Sequence, residues 1–271
     1  MYTDLDTMRN KLTDELAICG MNAVLAVCEN HPLAINRLFL REDRFNSFTG
    51  ICKQLAERRR PYKICDDEEL ERICKSVHHQ GVVAMIEEPV IEPLNLDDLN
   101  LWADEGKTGV ILHSVGNDHN LGAVARAAAF FDVSFIVLNE KDSSFNEEMR
   151  LTTSACRVAE GAFEHLAVRR IKSTASFLKD AVKRLVTIGT DTRARMRISD
   201  LAGIVSTPKT AKLRQGGRPG IALVLGNEET GLPKDVKDQC SCILRIPGTG
   251  NIDSLNVSQA AALFLHAIYE L

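Results

Sequence analysis

A chain of 271 residues, 45% of them hydrophobic, is long enough for two ordinary domains and can fill real cores without covalent staples. No apolar run approaches the ~18 residues of a membrane-spanning helix, and the eight cysteines include no C-x-x-C pair, a usage that suits reduced thiols of a cytoplasmic protein and argues against a metal or disulfide framework. The net charge of −4 hides an uneven distribution: residues 66–108 hold 12 acidic and 3 basic side chains (net −9), residues 157–218 hold 14 basic and 5 acidic ones (net +9), and that basic excess reads either as a polyanion-binding surface or as a solvated helix face.

Taken in order, residues 1–18 read as a short polar lead-in helix punctuated by Leu5, Met8, Leu12 and Leu16. Over 19–88 helix and strand alternate: helix at Ala23–Cys28, strand at Arg37–Leu40, helix at Phe48–Arg58, strand at Tyr62–Cys65, and a helix opened by Asp66-Asp67-Glu68-Glu69, where the macrodipole favours acids. Gly81–Ile86 closes this small α/β domain as an apolar strand. Arg58-Arg59-Arg60 suits a helix C-terminus and is open to a second reading as a phosphate contact. The acidic stretch 89–106, with Pro89 and Pro93, reads as an interdomain linker.

From 107 to 271 the pattern predicts a larger α/β domain. Strands are expected at Gly109–Leu112, Ser134–Leu138, Val186–Ile188, Ile221–Leu225 and Cys242–Ile246, separated by helices, which points to a mostly parallel sheet covered on both faces. Two strands run into turns of small polar residues, Gly226-Asn227-Glu228-Glu229-Thr230-Gly231 and Pro247-Gly248-Thr249-Gly250-Asn251. A last helix carries Val257, Ala260, Ala261, Phe264 and Ile268 on one face. Turns rich in glycine at the carboxyl ends of strands are where open α/β sheets bind ligands, so the C-terminal stretch is the candidate active site.

Several chemistries lack their signatures. Gly216-Gly217-Arg218-Pro219-Gly220 precedes a strand, whereas a dinucleotide-binding G-x-G-x-x-G must follow one; there is no Walker A sequence, no G-x-S-x-G elbow and no H-E-x-x-H pair, so no metal is expected.

Three stretches carry a family resemblance. Asn120-Leu121-Gly122-Ala123-Val124-Ala125-Arg126, then Leu223 to Leu232, then Ile246-Pro247 with Ser254-Leu255-Asn256-Val257-Ser258 resemble the three ordered motifs of the SpoU (TrmH) RNA ribose 2′-O-methyltransferases of the SPOUT class, over roughly residues 107–271. Upstream, Gly20-Met21-Asn22-Ala23-Val24 and His79-Gln80-Gly81-Val82-Val83-Ala84 are similar to the two ends of the L30e-like substrate-binding domain that precedes the catalytic domain in many members. The resemblance implies a C-terminal α/β trefoil-knot domain, S-adenosyl-L-methionine as cofactor, tRNA or rRNA as substrate, and a homodimer through the C-terminal domain whose site takes residues from both subunits. By position it implies Asn120, Arg126, Glu228, Ser254 and Asn256 as catalytic residues, with Leu225, Gly226, Ile246, Pro247 and Leu255 around the cofactor. The chain departs from the family at Gly248-Thr249-Gly250-Asn251, where members commonly carry a larger apolar residue after the proline.

The chemistry of these side chains is a partial match. Methyl transfer from a sulfonium is an in-line displacement that needs an aligned oxygen nucleophile and removal of its proton. Arg126 is often described as the base in this family, yet a guanidinium stays protonated, so its reading from chemistry is phosphate gripping and charge stabilisation. Asn120 falls where a helix N-cap is expected, Ser254 or Asp253 where the last helix needs one, and Asn256 in that helix's first turn. Glu228 is open to direct catalysis or to anchoring its loop on backbone N–H groups. The sequence therefore supports an RNA 2′-O-methyltransferase, and as the alternative an RNA-binding dimer that keeps the fold without turnover.

Overall fold

The computed structural model describes residues 15–140, 150–207, 210, 212–213 and 217–271. The described residues divide into two compact units, one of residues 15–90 together with 150–164, the other of the described residues from 91 to 140 and from 165 to 271.

The smaller unit is built from β1 (Glu15–Cys19), α1 (Met21–Asn30), β2 (Ile35–Leu40), α2 (Phe45–Glu57), β3 (Tyr62–Ile64), α3 (Asp67–Cys74) and β4 (Val82–Glu87). The strands lie in the order β1-β4-β2-β3, with β4 antiparallel to both neighbours. The expected lead-in helix is corrected at its end: the run Leu16-Ala17-Ile18-Cys19 is wholly buried and pairs with β4, because consecutive apolar residues suit a strand covered on both faces better than an amphipathic helix. The rest of that helix lies outside the described residues. Asp66 caps α3 by accepting from the Glu69 backbone N–H at 2.8 Å. Arg58 donates to the carbonyls of Pro32 and Leu33 at 3.0 and 2.7 Å, which gives it a structural task.

The larger unit follows with β5 (Glu92–Pro93), α4 (Leu96–Asp104), β6 (Thr108–Leu112), α5 (Asp118–Phe130), β7 (Phe135–Asn139), then α6 (Thr153–Ala159), which joins the smaller unit, β8 (Ala167–Ile171), α7 (Thr174–Ala181), β9 (Val186–Thr190), β10 (Met196–Arg197), α8 (Leu201–Val205), β11 (Ile221–Leu225), β12 (Cys242–Arg245) and α9 (Val257–Tyr269). Among the described residues its sheet has eight strands in the order β10-β12-β9-β11-β6-β7-β8-β5, and every pairing is parallel. The central strands β6, β7 and β11 are buried along their whole length, as a sheet covered by helices requires.

Five strands are where they are expected; the other three escape the sequence for physical reasons. β8 sits next to the sheet edge and carries Arg169 and Arg170, and β5 and β10 are two-residue edge strands, where proline and charge are tolerated. The stretch expected as a linker is ordered. Asn95 and Asp98 form a reciprocal capping box at the start of α4, and Trp102 is fully buried, its indole N–H donating to the Ile221 carbonyl at 2.9 Å. Gly109 is the strand residue that makes room for that ring: a Cβ there would lie 2.2 Å from Trp102 Cζ2.

Candidate active site

The sheet puts the carboxyl ends of β6, β11 and β12 on one edge, and a loop leaves each. Asn117 caps α5, its side chain accepting from the His119 backbone N–H at 2.8 Å, so Asn120 is not the cap but lies one turn inside, with its amide turned outward. Asn256 caps α9, and this corrects the expectation for Ser254 or Asp253: its Oδ1 accepts from the Ser258 backbone N–H at 2.9 Å and from Ser258 Oγ at 2.6 Å.

That cap fixes which way round the Asn256 amide points. With Oδ1 committed to the helix, Nδ2 donates to Asn120 Oδ1 at 3.0 Å. Asn120 Oδ1 is thereby the acceptor, and its own Nδ2 donates to Glu228 Oε1. Three residues from three distant stretches form a one-directional chain that ends on a carboxylate, with the rotamer of each member set by the one before. One carboxylate oxygen of Glu228 remains beyond that bond. Glu228 and Asn256 are exposed and Asn120 is half-buried.

The anchoring work considered for Glu228 is done by its neighbour. Asn227 Oδ1 accepts the backbone N–H groups of Glu229 and Thr230 at 2.9 and 3.1 Å, and its Nδ2 donates across to the Ser114 carbonyl at 2.9 Å. Ser114 holds a left-handed conformation (φ 60°), a rare state for serine that this bond helps to fix. Gly226 allows the turn to fold back tightly, since a Cβ there would come 2.5 Å from the Gly231 carbonyl carbon. The Asn-x-x-Thr-Gly spacing of an Asx turn is the signal that could have singled out Asn227 in the sequence.

The other candidates stand apart from this chain of bonds. Ser254 is exposed in the loop before α9, and among the described residues no hydrogen bond joins its side chain to the three. Arg126 is exposed on α5, six residues beyond Asn120 and therefore on another face of the helix. Leu225 is buried and its carbonyl accepts from the His113 backbone N–H at 2.8 Å. Gly226 and Ile246 are half-buried, Pro247 is exposed and Leu255 is 46% exposed, so these loops offer apolar surface to solvent.

In the smaller unit the two stretches singled out at its ends meet. The Met21 backbone N–H donates to Gln80 Oε1 at 2.8 Å, and α6 closes over them, with Asn22 Nδ2 donating to Glu160 Oε2 at 3.0 Å. Cys19, Gly20, Asn22, Gln80, Arg157 and Glu160 line a cavity of about 200 Å³ there.

A family model described as the SpoU rRNA methylase family matches residues 107–266, well over half of the chain. The chain belongs to that family. A second model, described as RNA 2′-O ribose methyltransferase substrate binding, matches residues 17–90, so both halves of the SpoU arrangement are present and the chain is a methyltransferase of this class. The chain is similar to the 23S rRNA (guanosine-2′-O-)-methyltransferase RlmB of Xylella fastidiosa, 30% identical over 92% of this chain and 93% of the relative. It is also similar to a putative TrmH family tRNA/rRNA methyltransferase, YacO of Bacillus subtilis, 31% identical over 70% of each. The crystal structure of the SpoU methyltransferase AviRb from Streptomyces viridochromogenes in complex with AdoMet shares the fold, with a TM-score of 0.69 at 19% identity over 97% of this chain and 94% of that one.

Proposed function

We propose that this SpoU-family chain methylates the 2′-hydroxyl of a ribose in ribosomal or transfer RNA, with S-adenosyl-L-methionine as the methyl donor. The observation that carries the reading is the Asn256–Asn120–Glu228 chain of hydrogen bonds, which ties all three motifs together at the ligand-binding edge of the sheet.

The residues present fit the cofactor. Leu255, Ile246 and Pro247 offer apolar surface suited to an adenosyl group, Gly226 keeps the turn free of side chain, and the Glu228 carboxylate suits a neighbouring sulfonium. When bound, S-adenosylmethionine supplies an electrophilic methyl group. The protein's part is to place the nucleophile. Glu228, held through Oε1, presents its second oxygen to accept a hydrogen bond from the ribose hydroxyl and draw the proton away from the attacking oxygen. Arg126 grips the adjoining phosphate in fork geometry.

Because Arg126 lies on another face of α5 from Asn120, we assign it to the site of a second copy. Support comes from α5 and α9, which pack on each other through Phe131 against His266 and Tyr269 and leave Phe130 80%, Tyr269 55% and Leu263 44% exposed. Such a patch suits a two-fold interface. The knot is supported by a chain crossing: Thr190 and Met196 both pair with Leu244 from opposite sides, so residues 191–195 strap across the end of β12 while the chain continues beyond Arg245. We place the enzyme in the cytoplasm, where its RNA would be. The alternative of an inactive binder is not favoured, since the polar chain is complete and the departure at Gly248–Asn251 falls in exposed residues that contribute no member of it. Sedimentation at micromolar concentration should give two chains, and incubation with labelled cofactor and total RNA should label ribose; a monomer or unlabelled RNA would refute the respective half.

A further inference from the structure

Part of the basic excess between 157 and 218 is taken up by hydrogen bonds and ion pairs within the larger unit. Arg169 pairs with Asp98 at 2.9 Å, Arg170 with Glu140 at 2.7 Å and Lys183 with Asp180 at 2.9 Å. Arg218 donates to Thr108 Oγ1 and to the carbonyls of Gly106 and Ile268.

Four guanidiniums are treated differently. Arg193 and Arg195 lie on the strap across β12, Arg197 follows in β10, and all three are exposed. The strand register then sets Arg197 directly beside Arg245 of β12. Among the described residues none of the four has a carboxylate within salt-bridge distance. The two acids of the same stretch are occupied: Asp191 Oδ2 takes Lys237 Nζ at 2.7 Å and its Oδ1 the Arg193 backbone N–H, while Asp200 accepts the Arg197 backbone N–H at 2.8 Å. Like charges facing each other on paired strands are destabilising, and the cost is relieved when an anion bridges them. Clustered forks with no salt-bridge partner among the described residues suit phosphates more than single carboxylates, because each fork can take two oxygens of a different phosphate.

The strap leaves the carboxyl end of β9, on the same edge of the sheet as the loops of the active site. We propose that Arg193, Arg195, Arg197 and Arg245 form a cradle for the RNA backbone flanking the target nucleotide. This rests on the reading of the chain as an RNA methyltransferase and names where on the larger unit the substrate runs. It also explains why a chain of net charge −4 binds a polyanion: attraction is local.

The test uses the full chain and a fluorescein-labelled single-stranded RNA of mixed sequence, titrated from low to moderate potassium chloride. Each phosphate neutralised contributes about 0.7 to the slope of log affinity against log salt, so R193Q/R195Q/R197Q/R245Q should flatten the slope by about 3 and weaken binding at least about tenfold. Should the fourfold change unfold the chain, the pairs R193Q/R195Q and R197Q/R245Q decide, each expected to flatten it by about 1.4. Arginine-to-lysine changes at the same positions should keep the slope. A slope altered by less than about 0.7, or arginine-dependent binding of polyglutamate in place of RNA, would overturn the cradle. Cofactor calorimetry on the native chain reports separately on the enzyme: RNA binding with this slope and no affinity for S-adenosylmethionine would refute the methyltransferase reading and leave the cradle standing.

Discussion

The side-chain amide of Asn256 donates to Oδ1 of Asn120 at 3.0 Å, although 136 residues separate them in sequence. Because Asn256 is at the same time the N-cap of α9, helix stability and site geometry hang on one side chain, and two substitutions separate them. Asn256→Asp keeps the cap acceptor but sets an acceptor against Asn120 Oδ1. It should leave the melting temperature nearly unchanged while methyl transfer falls by a factor on the order of 10², the loss typical of a misplaced polar group in a catalytic site. Asn256→Ala should show the same loss and also destabilise the fold by about 1 kcal/mol. Thermal melts beside single-turnover transfer decide it.

Asn227 makes the matching prediction for the turn that carries Glu228. Asn227→Ala removes the donor to the Ser114 carbonyl and the acceptor for two backbone N–H groups. The expected cost is about 1–3 kcal/mol in denaturant unfolding, with a fall in kcat and little change in RNA affinity. Asn227→Asp keeps the acceptor and should recover most of the stability. A variant as active as the native chain would show that the turn is held by its backbone alone.

Core packing gives a test that owes nothing to catalysis. Gly109→Ala brings a methyl group to 2.2 Å from the Trp102 ring, in a strand buried along its whole length. Overpacking of this kind typically costs about 1–3 kcal/mol. Unfolding of Gly109→Ala and of Gly109→Ala/Trp102→Leu should show the second change recovering part of the loss. A wild-type midpoint in the single variant would refute the packing described.

The strap is tied down by Asp191 and Lys237, 2.7 Å apart. Burial on its own would raise the Asp191 carboxyl, but the hydrogen bond from Lys237, the Arg193 backbone N–H and the nearby positive charge outweigh it and hold the group below the usual carboxylate value. A carboxyl lowered by folding adds stability that is complete above its unfolded value of about 3.9 and is lost as pH falls through the folded one. Asp191→Asn should therefore be less stable than the native chain near neutral pH, by about 1 kcal/mol, and the two should converge as acid protonates the folded carboxyl. A gap that persists in acid would mean that the asparagine disturbs packing instead.

How much of this the sequence carried depends on what each residue does locally. Strands buried on both faces, such as Ile221-Ala222-Leu223-Val224-Leu225, announce themselves as apolar runs and need no partner to be recognised. Strands at or beside the sheet edge do not: Arg169 and Arg170 of β8 read as part of a basic segment because the acids that pair with them, Asp98 and Glu140, are far away in sequence. The same blindness made 89–106 look like a linker, since the prolines and acids are local and the socket for Trp102 is supplied by Gly109 and Ile221. At the site, the residue types of the motifs were legible through the family resemblance, but the direction of the chain was not. Which asparagine caps and which one donates is settled by the choice between two helix starts a few residues apart, a choice too fine for propensity to make.

The most direct test of the central claim is to identify the methylated atom. The full chain is incubated with methyl-labelled S-adenosyl-L-methionine and total RNA, the RNA is digested to nucleosides, and the label is assigned by mass spectrometry to base or sugar, for the native chain and for Glu228→Ala, which removes the end of the hydrogen-bonded chain. The account predicts a 2′-O-methylated nucleoside from the native chain and a yield lower by a factor on the order of 10² from the variant. Label on a base, no label in RNA at all, or an unimpaired Glu228→Ala would contradict it.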